Sequence, residues 1–165
     1  MLIVFSGRSG TGKTTIAREL ARRIGAVYLR IDSFEQAIRE SAIAPRSVED
    51  AGYRAAYAAA ENNLELGRTV VADSVNPLRV TREAWRAVAA RASVKAIDVE
   101  VVCSDSNEHR RRVESRTTDI AGLRLPSWAE VVAREYEPWA GQQVIVDTAS
   151  AGPDECVADL LARIT

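Results

Sequence analysis

Lysine is almost missing from this chain. Of its 22 basic residues only Lys13 and Lys95 are lysine, and the other 20 are arginine. Histidine occurs once, at His109. The two cysteines, Cys103 and Cys156, lie far apart and without metal-ligand spacing, which points to reduced thiols and away from a zinc site or a disulfide framework. An excess of charge of one sign is lacking as well. The net charge is −1 and the sequence pI about 5.9, so no global field draws the chain to nucleic acid or to an anionic membrane. The first apolar run, Leu2 to Phe5, is far shorter than the roughly 20 residues of a membrane span, and no basic leader accompanies it. A cytoplasmic protein without membrane contact is expected. No repeat, low-complexity tract or linker divides the 165 residues, and 47% are hydrophobic, enough for one domain over 1–165 with its own core. No feature assigns an oligomeric state.

One of the two scarce lysines stands in an informative place. Leu2 to Phe5 breaks into Gly7-Arg8-Ser9-Gly10-Thr11-Gly12-Lys13-Thr14, and helical spacing begins at once. This is the G-x-x-x-x-G-K-[ST] phosphate loop in its strand-then-helix context. Its glycines let successive backbone N–H groups turn inward as an anion nest, and the following helix adds the positive end of its dipole. Gly7, Ser9, Gly10, Thr11, Gly12, Lys13, Thr14 and Thr15 are therefore the nucleotide-binding candidates. Lys13 supplies a compact charge between phosphates where a planar guanidinium would not fit, and the Thr14 hydroxyl is a Mg²⁺ ligand. The loop is expected to be exposed, with Lys13 serving only the ligand.

Beyond the loop, Ile16, Leu20 and Ile24 give an amphipathic helix closed by Gly25. Ala26 to Ile31 reads as a strand ending at Asp32, followed by a helix from Ser33 to Ile43. Ser47-Val48-Glu49-Asp50 has the form of a capping box opening a long Ala-rich helix that Gly67 ends. Thr69 to Ala72 is a short strand ending at Asp73, and Asn76-Pro77 reads as an N-cap with Pro at the first helical position. Ala96 to Cys103 is a fourth strand, followed by a helix from Ser106 rich in arginine. Thr117 to Pro126 has loop composition, Ser127 with Glu130 caps a helix running to about Pro138, Val144 to Val146 is a fifth strand, and Asp154 to Ile164 a last helix. Five apolar strands alternating with helices predict an α/β fold, a parallel sheet covered on both faces.

In such a sheet ligands bind beyond the carboxyl ends of the strands. The loop, Asp32 and Asp73 all fall on that rim. Either aspartate alone is as readily a helix cap or turn residue; together beside a phosphate loop they suit phosphoryl transfer. One carboxylate would accept the proton of the attacking hydroxyl, and the other would hold Mg²⁺, usually through water. Asp32 is the candidate base and Asp73 the candidate for the metal shell or the acceptor, with the reverse assignment open. Ser74 and Asn76 fit equally an acceptor contact or a turn and N-cap. Arg112 and Arg116, four apart on one helix face, are candidates to neutralise charge on the phosphoryl group, from a lid over about 110–127. The alternative is a solvated face paired with Glu108 and Glu114. His109 reads as a surface residue without a ligand set.

These residues resemble the small P-loop kinases, AAA-type ATP-binding proteins that include the polynucleotide kinase domain, zeta-toxin-like kinases, chloramphenicol phosphotransferase, and gluconate and adenylylsulfate kinases. The likeness is sharpest in GRSGTGKTT, in RIDS around Asp32 and in VVADSVNPLR, and extends through HRRRVESR and PSWAEVVAREYEPW. It implies a three-layer P-loop NTPase fold with strand order 2-3-1-4-5, ATP as donor, a base at Asp32 and lid arginines at Arg112 and Arg116. Polynucleotide kinases carry an Arg three residues after the base, where this chain has Glu35. That difference and the acidic pI favour a small-molecule acceptor over a nucleic-acid end. The expected activity is ATP- and Mg²⁺-dependent phosphorylation of a small-molecule hydroxyl. A polynucleotide or toxin-type nucleotide-sugar kinase is the rival of the same chemistry, and a nucleotide-driven ATPase switch the rival of another class.

Overall fold

The computed structural model describes residues 1–42, 50–141 and 143–164. Strands β1 (Leu2–Ser6), β2 (Val27–Arg30), β3 (Val70–Asp73), β4 (Ala96–Val102) and β5 (Val144–Asp147) form one parallel sheet in the order β2-β3-β1-β4-β5, the order the resemblance implies. The central strand β1 is buried along its whole length because both faces are covered. Its alternation sorts the core into two layers. Ile3 and Phe5 meet Ile16 and Leu20 of α1 (Lys13–Ile24) and Val157 and Leu160 of α7 (Pro153–Ile164). Leu2 and Val4 meet Ala56, Ala60 and Leu64 of α3 (Ala51–Glu65) and Trp85 and Val88 of α4 (Arg79–Arg91). Each such aliphatic side chain, taken fully from water, contributes on the order of 2 kcal/mol.

The buried stripe of α3 is small: Gly52, Ala56 and Ala60 precede Leu64 at four-residue intervals. Small residues let this helix lie close to its neighbours. A Cβ on Gly52 would come within 2.4 Å of Glu35 Cγ on α2 (Ile31–Glu40), so bulk there would push the two helices apart. The remaining helices, α5 (Ser106–Ser115) and α6 (Trp128–Ala133), flank the carboxyl rim of the sheet. The capping box of α6 is formed as expected, Ser127 and Glu130 each bonding the other's backbone N–H.

Several boundaries differ from those read in the sequence. Strand β2 stops at Arg30 and α2 starts at Ile31, so Asp32 lies in the first turn of a helix and not on the strand end. Helix α2 ends at Glu40. Of the expected capping box before α3, Ser47, Val48 and Glu49 lie outside the described residues. Asn76 is no N-cap: α4 begins at Arg79, capped by Leu78. Asn76 instead has a left-handed φ of 44° and is fully buried, its side-chain amide donating to Phe5 O at 3.0 Å and Ser6 Oγ at 3.2 Å. The side chain thus does the work of a backbone link between the ends of β1 and β3. Helix α6 stops at Ala133, well short of Pro138, because the chain from Arg134 onward turns to hold Arg82. The buried Arg82 guanidinium donates to the carbonyls of Asn76, Pro77, Glu137 and Pro138 and lies over the Tyr136 and Trp139 rings. No helix among the described residues is long and apolar enough to cross a membrane.

Candidate active site

The loop from Gly7 to Gly12 needs its glycines for two distinct reasons. Gly7 and Gly10 have φ of +142° and +87°, which side chains with a Cβ rarely adopt. Space is also short, since a Cβ on Gly7 would sit 2.3 Å from Val101 O, and one on Gly10 2.4 Å from Val113 Cγ2. Gly10→Ala is therefore expected to cost about 1–3 kcal/mol of stability and to weaken nucleotide binding, both measurable by thermal denaturation with and without nucleotide. An unchanged nucleotide-induced shift would show that the nest tolerates the side chain.

The loop is held from outside. His109, which the sequence suggests lies on the surface, is buried: its Nε2 donates to Ser9 O at 2.8 Å, and its ring stands edge-on to Trp128. A signal for this was available, because His109 and Val113 are one turn apart and are the buried residues of an otherwise charged helix. On the other side, Thr148 Oγ1 donates to Thr11 O at 2.7 Å. Arg112 in turn donates to Thr148 Oγ1 and O at 2.8 and 2.9 Å, and to Glu108 at 2.7 Å.

Beneath the loop, Lys13 Nζ lies 2.9 Å from Asp73 Oδ1, and Tyr28 donates its hydroxyl to Asp73 Oδ2 at 2.7 Å. Asp73 is 2% exposed. Burial alone would raise its pKa, but the Lys13 ammonium and hydrogen bonds from Tyr28, Lys13 and Thr14 outweigh burial and hold it below the usual carboxylate range. Tyr28 is pushed up, first by burial and then by the charge of Asp73. Lys13 is itself buried, contrary to the expectation of an exposed loop residue. Tyr28 was not legible beforehand: an aromatic residue in a β-strand normally reads as core.

A cleft of about 1090 Å³ opens above these groups. Ser9, Gly10, Gly12, Lys13, Thr14, Thr15, Asp32, Arg112 and Arg116 line it, whereas Gly7, Thr11 and Asp73 lie behind its wall. Asp32 is open to the cleft, its side chain 45% exposed and 3.7 Å from Arg30 Nε. Arg116 is the C-cap of α5 and half-buried, and its Nε and Nη2 find no partner among the described residues. Burial lowers its pKa, partly offset by Asp32. The two arginines expected to act as a pair thus differ: the fork of Arg112 is engaged, and one edge of Arg116 is buried without a partner among the described residues. The segment after α5 folds back over the cleft, where Asp119 bonds Arg18 Nη2 at 2.6 Å and Arg30 Nη1 at 2.7 Å. Nothing in the loop composition of TTDIAG signals that role.

The donor set suits a magnesium nucleotide. The positive-φ glycines shape a turn of the kind that cradles anions, and Thr14 and Asp73 share a hydrogen bond beside Lys13, as a metal shell of one hydroxyl and one water-linked carboxylate would need. Among the described residues there is no cluster of three His, Cys, Asp or Glu side chains, and Mg²⁺ bound with phosphates requires none.

Sheet order and phosphate loop define a P-loop nucleotide-binding fold. Residues 2–124 match the AAA domain family model, and the chain belongs to that family. It is 29% identical over 181 residues to a shikimate kinase of Frankia casuarinae, covering 98% of this chain and 71% of the relative. Among solved structures, a gluconokinase from Sinorhizobium meliloti is 25% identical with a TM-score of 0.66, covering 97% of this chain and 89% of that one. The adenylylsulfate (APS) kinase of Mycobacterium tuberculosis, in complex with AMPPNP and APS, has a TM-score of 0.72 at 19% identity, covering 98% and 95%. In fold and group the protein is a small P-loop kinase.

Proposed function

We propose that the protein transfers the γ-phosphoryl group of ATP, bound with Mg²⁺, to a hydroxyl of a small molecule in the cytoplasm. The observation that carries this reading is one cleft flanked by the Lys13–Asp73–Thr14 cluster under the phosphate loop and by Asp32 and the unpaired edge of Arg116. A switch would need the first group only. Shikimate, gluconate and APS kinases among its relatives and neighbours support a small-molecule acceptor.

Each residue has a role in that transfer. The loop N–H groups and Lys13 bind the β- and γ-phosphates, and Thr14 with Asp73 would hold the metal. Mg²⁺, when bound, neutralises charge on the phosphate oxygens. Asp32 accepts the proton as the acceptor oxygen bonds to phosphorus and the bond from phosphorus to the β,γ-bridging oxygen breaks, releasing ADP. Arg116 offers two parallel donors to the phosphoryl oxygens, and Arg112, tied to Thr148, steadies the loop from the nucleotide side.

The test is a transfer assay with labelled ATP on a panel of small alcohols, run on wild type, Arg116→Ala and Arg116→Lys. Arg116→Ala should lower kcat by roughly 10²–10³-fold while changing the KM for ATP little, as expected of a contact made in the transition state. Lysine should rescue poorly, because a point charge lacks the forked geometry. Full activity in the alanine variant would remove Arg116 from the transfer step.

A further inference from the structure

The charge of the cleft is at odds with that of the chain. Ten arginine and lysine side chains and four carboxylates line it, whereas the net charge of the protein is −1. Part of that excess serves a nucleotide. Lys13 lies under the phosphate loop, and Arg112 is anchored to Thr148 beside Thr11. A second group lies around Asp32, away from those contacts. There Arg30 is 11% exposed at its side chain, with Nε directed to Asp32 at 3.7 Å and otherwise unpartnered. Its other end, Nη1, holds Asp119, and Arg18 holds the second oxygen of the same carboxylate.

Asp119 shows what these two guanidiniums select, because it is a carboxylate gripped by both. On the Arg18 side the hold is weak. Arg18 and Asp119 are each more than half exposed, and ion pairs in that setting contribute little. Arg30 is different: its guanidinium is mostly buried and, unlike that of Arg82, which backbone carbonyls satisfy, it is met by carboxylates and needs one there. Asp119 fills that need from a folded-over segment and can leave when another anion arrives.

We infer that the phosphoryl acceptor is an anionic alcohol, a small hydroxy compound whose carboxylate or phosphate ester takes the place of Asp119 on Arg30 and Arg18. The inference rests on the kinase reading above and names the substrate class of the same site. Because Arg30 touches Asp119 at one end and faces Asp32 at the other, an anion seated there brings a hydroxyl on the same molecule to the base. The hydroxyl proton passes to Asp32, the oxygen bonds to the γ-phosphorus, and ADP departs.

The experiment measures transfer from labelled ATP by the full chain to matched compounds. Glycerate, gluconate and shikimate form the carboxylate arm, and glycerol 3-phosphate and ribose 5-phosphate the phosphate arm. Glycerol, glucose, ribose and methyl shikimate are the neutral partners. At least one anionic compound should exceed its neutral partner in kcat/KM by about 10²-fold or more, since a site built around a charged group rejects the analogue that lacks it. The arm that responds identifies the anion. Arg30→Gln should erase most of this preference with the KM for ATP unchanged, and Asp119→Asn should lower the KM for the anionic acceptor by removing its competitor. Equal use of neutral partners, still dependent on Lys13, would overturn the anionic class and leave the kinase intact. Transfer that does not depend on Lys13 would remove the kinase reading itself. Preferential labelling of 5′-hydroxyl oligonucleotides would overturn the inference, as would failure of every acid and ester both to accept phosphate and to raise the melting temperature.

Discussion

Lys13→Ala loses phosphoryl transfer by roughly 10³-fold or more, because a positioned cation facing the transferred group is withdrawn from a shielded site. Its effect on stability is the less obvious half of the result. Lys13 is the counter-charge of Asp73, which is 2% exposed, so the alanine variant leaves a carboxylate buried with hydrogen bonds but no cation. Breaking a buried pair in this way costs about 3–5 kcal/mol. In the wild type, Asp73 has a depressed folded pKa, so its contribution is present above about pH 4, the unfolded value, and is lost as pH falls through the folded one. In the variant the sign should reverse. Burial, the largest influence on Asp73, loses its main opponent, so the carboxyl is expected above its unfolded value and the folded state to take up a proton more readily than the unfolded one. The destabilisation of Lys13→Ala should therefore be largest near neutral pH and shrink as pH falls towards 4. Lys13→Ala/Asp73→Asn should recover most of the stability and none of the activity. Denaturant melts of the three proteins across pH decide it: a single variant as stable as wild type would mean Asp73 does not depend on Lys13, and unchanged turnover would end the kinase reading.

Asp32→Asn should leave the fold nearly untouched and lower turnover by roughly 10²–10⁴-fold. The carboxylate is partly open to the cleft, and its ion-pair neighbour, Arg30 Nε, is at 3.7 Å, so neutralising it disturbs little packing. A stability change within about 0.5 kcal/mol is expected. Asparagine keeps the shape and can still accept a hydrogen bond, but it cannot take the acceptor's proton. Nucleotide affinity, measured calorimetrically with Mg-ATP, should stay the same. If affinity collapsed while the proton-transfer step survived, Asp32 would belong to the metal shell. Asp73 would then have to serve as base, a role that its burial and its bonds to Lys13 and Tyr28 oppose.

The phosphate loop, Asp32 and Arg116 border one cleft, and all were legible as candidates because each follows a local rule. Glycine spacing, a polar residue at a strand-to-helix junction and a basic face on one helix are patterns within a few residues of each other. Tyr28, Arg30, Arg82 and Asp119 were not legible. Each works through a partner at least dozens of residues away, or through backbone carbonyls that carry no sequence identity. Asn76 misled for a related reason: Asn-Pro is a good helix start by local preference, but the open end of β1 competed for its amide and won.

The sequence by itself determined the parallel sheet, its alternation with helices, the phosphate-binding turn and the presence of two acidic residues on the same rim. These depend on periodicity, glycine conformational freedom and the geometry of strand ends, all local properties. Only the tertiary structure decided how the charges pair. It buried Lys13 against Asp73, separated Arg112 from Arg116, and gathered ten basic side chains of a nearly neutral chain around one cleft. Charge has no periodicity along a sequence, and the energy of each group depends on burial and on partners that folding alone brings together.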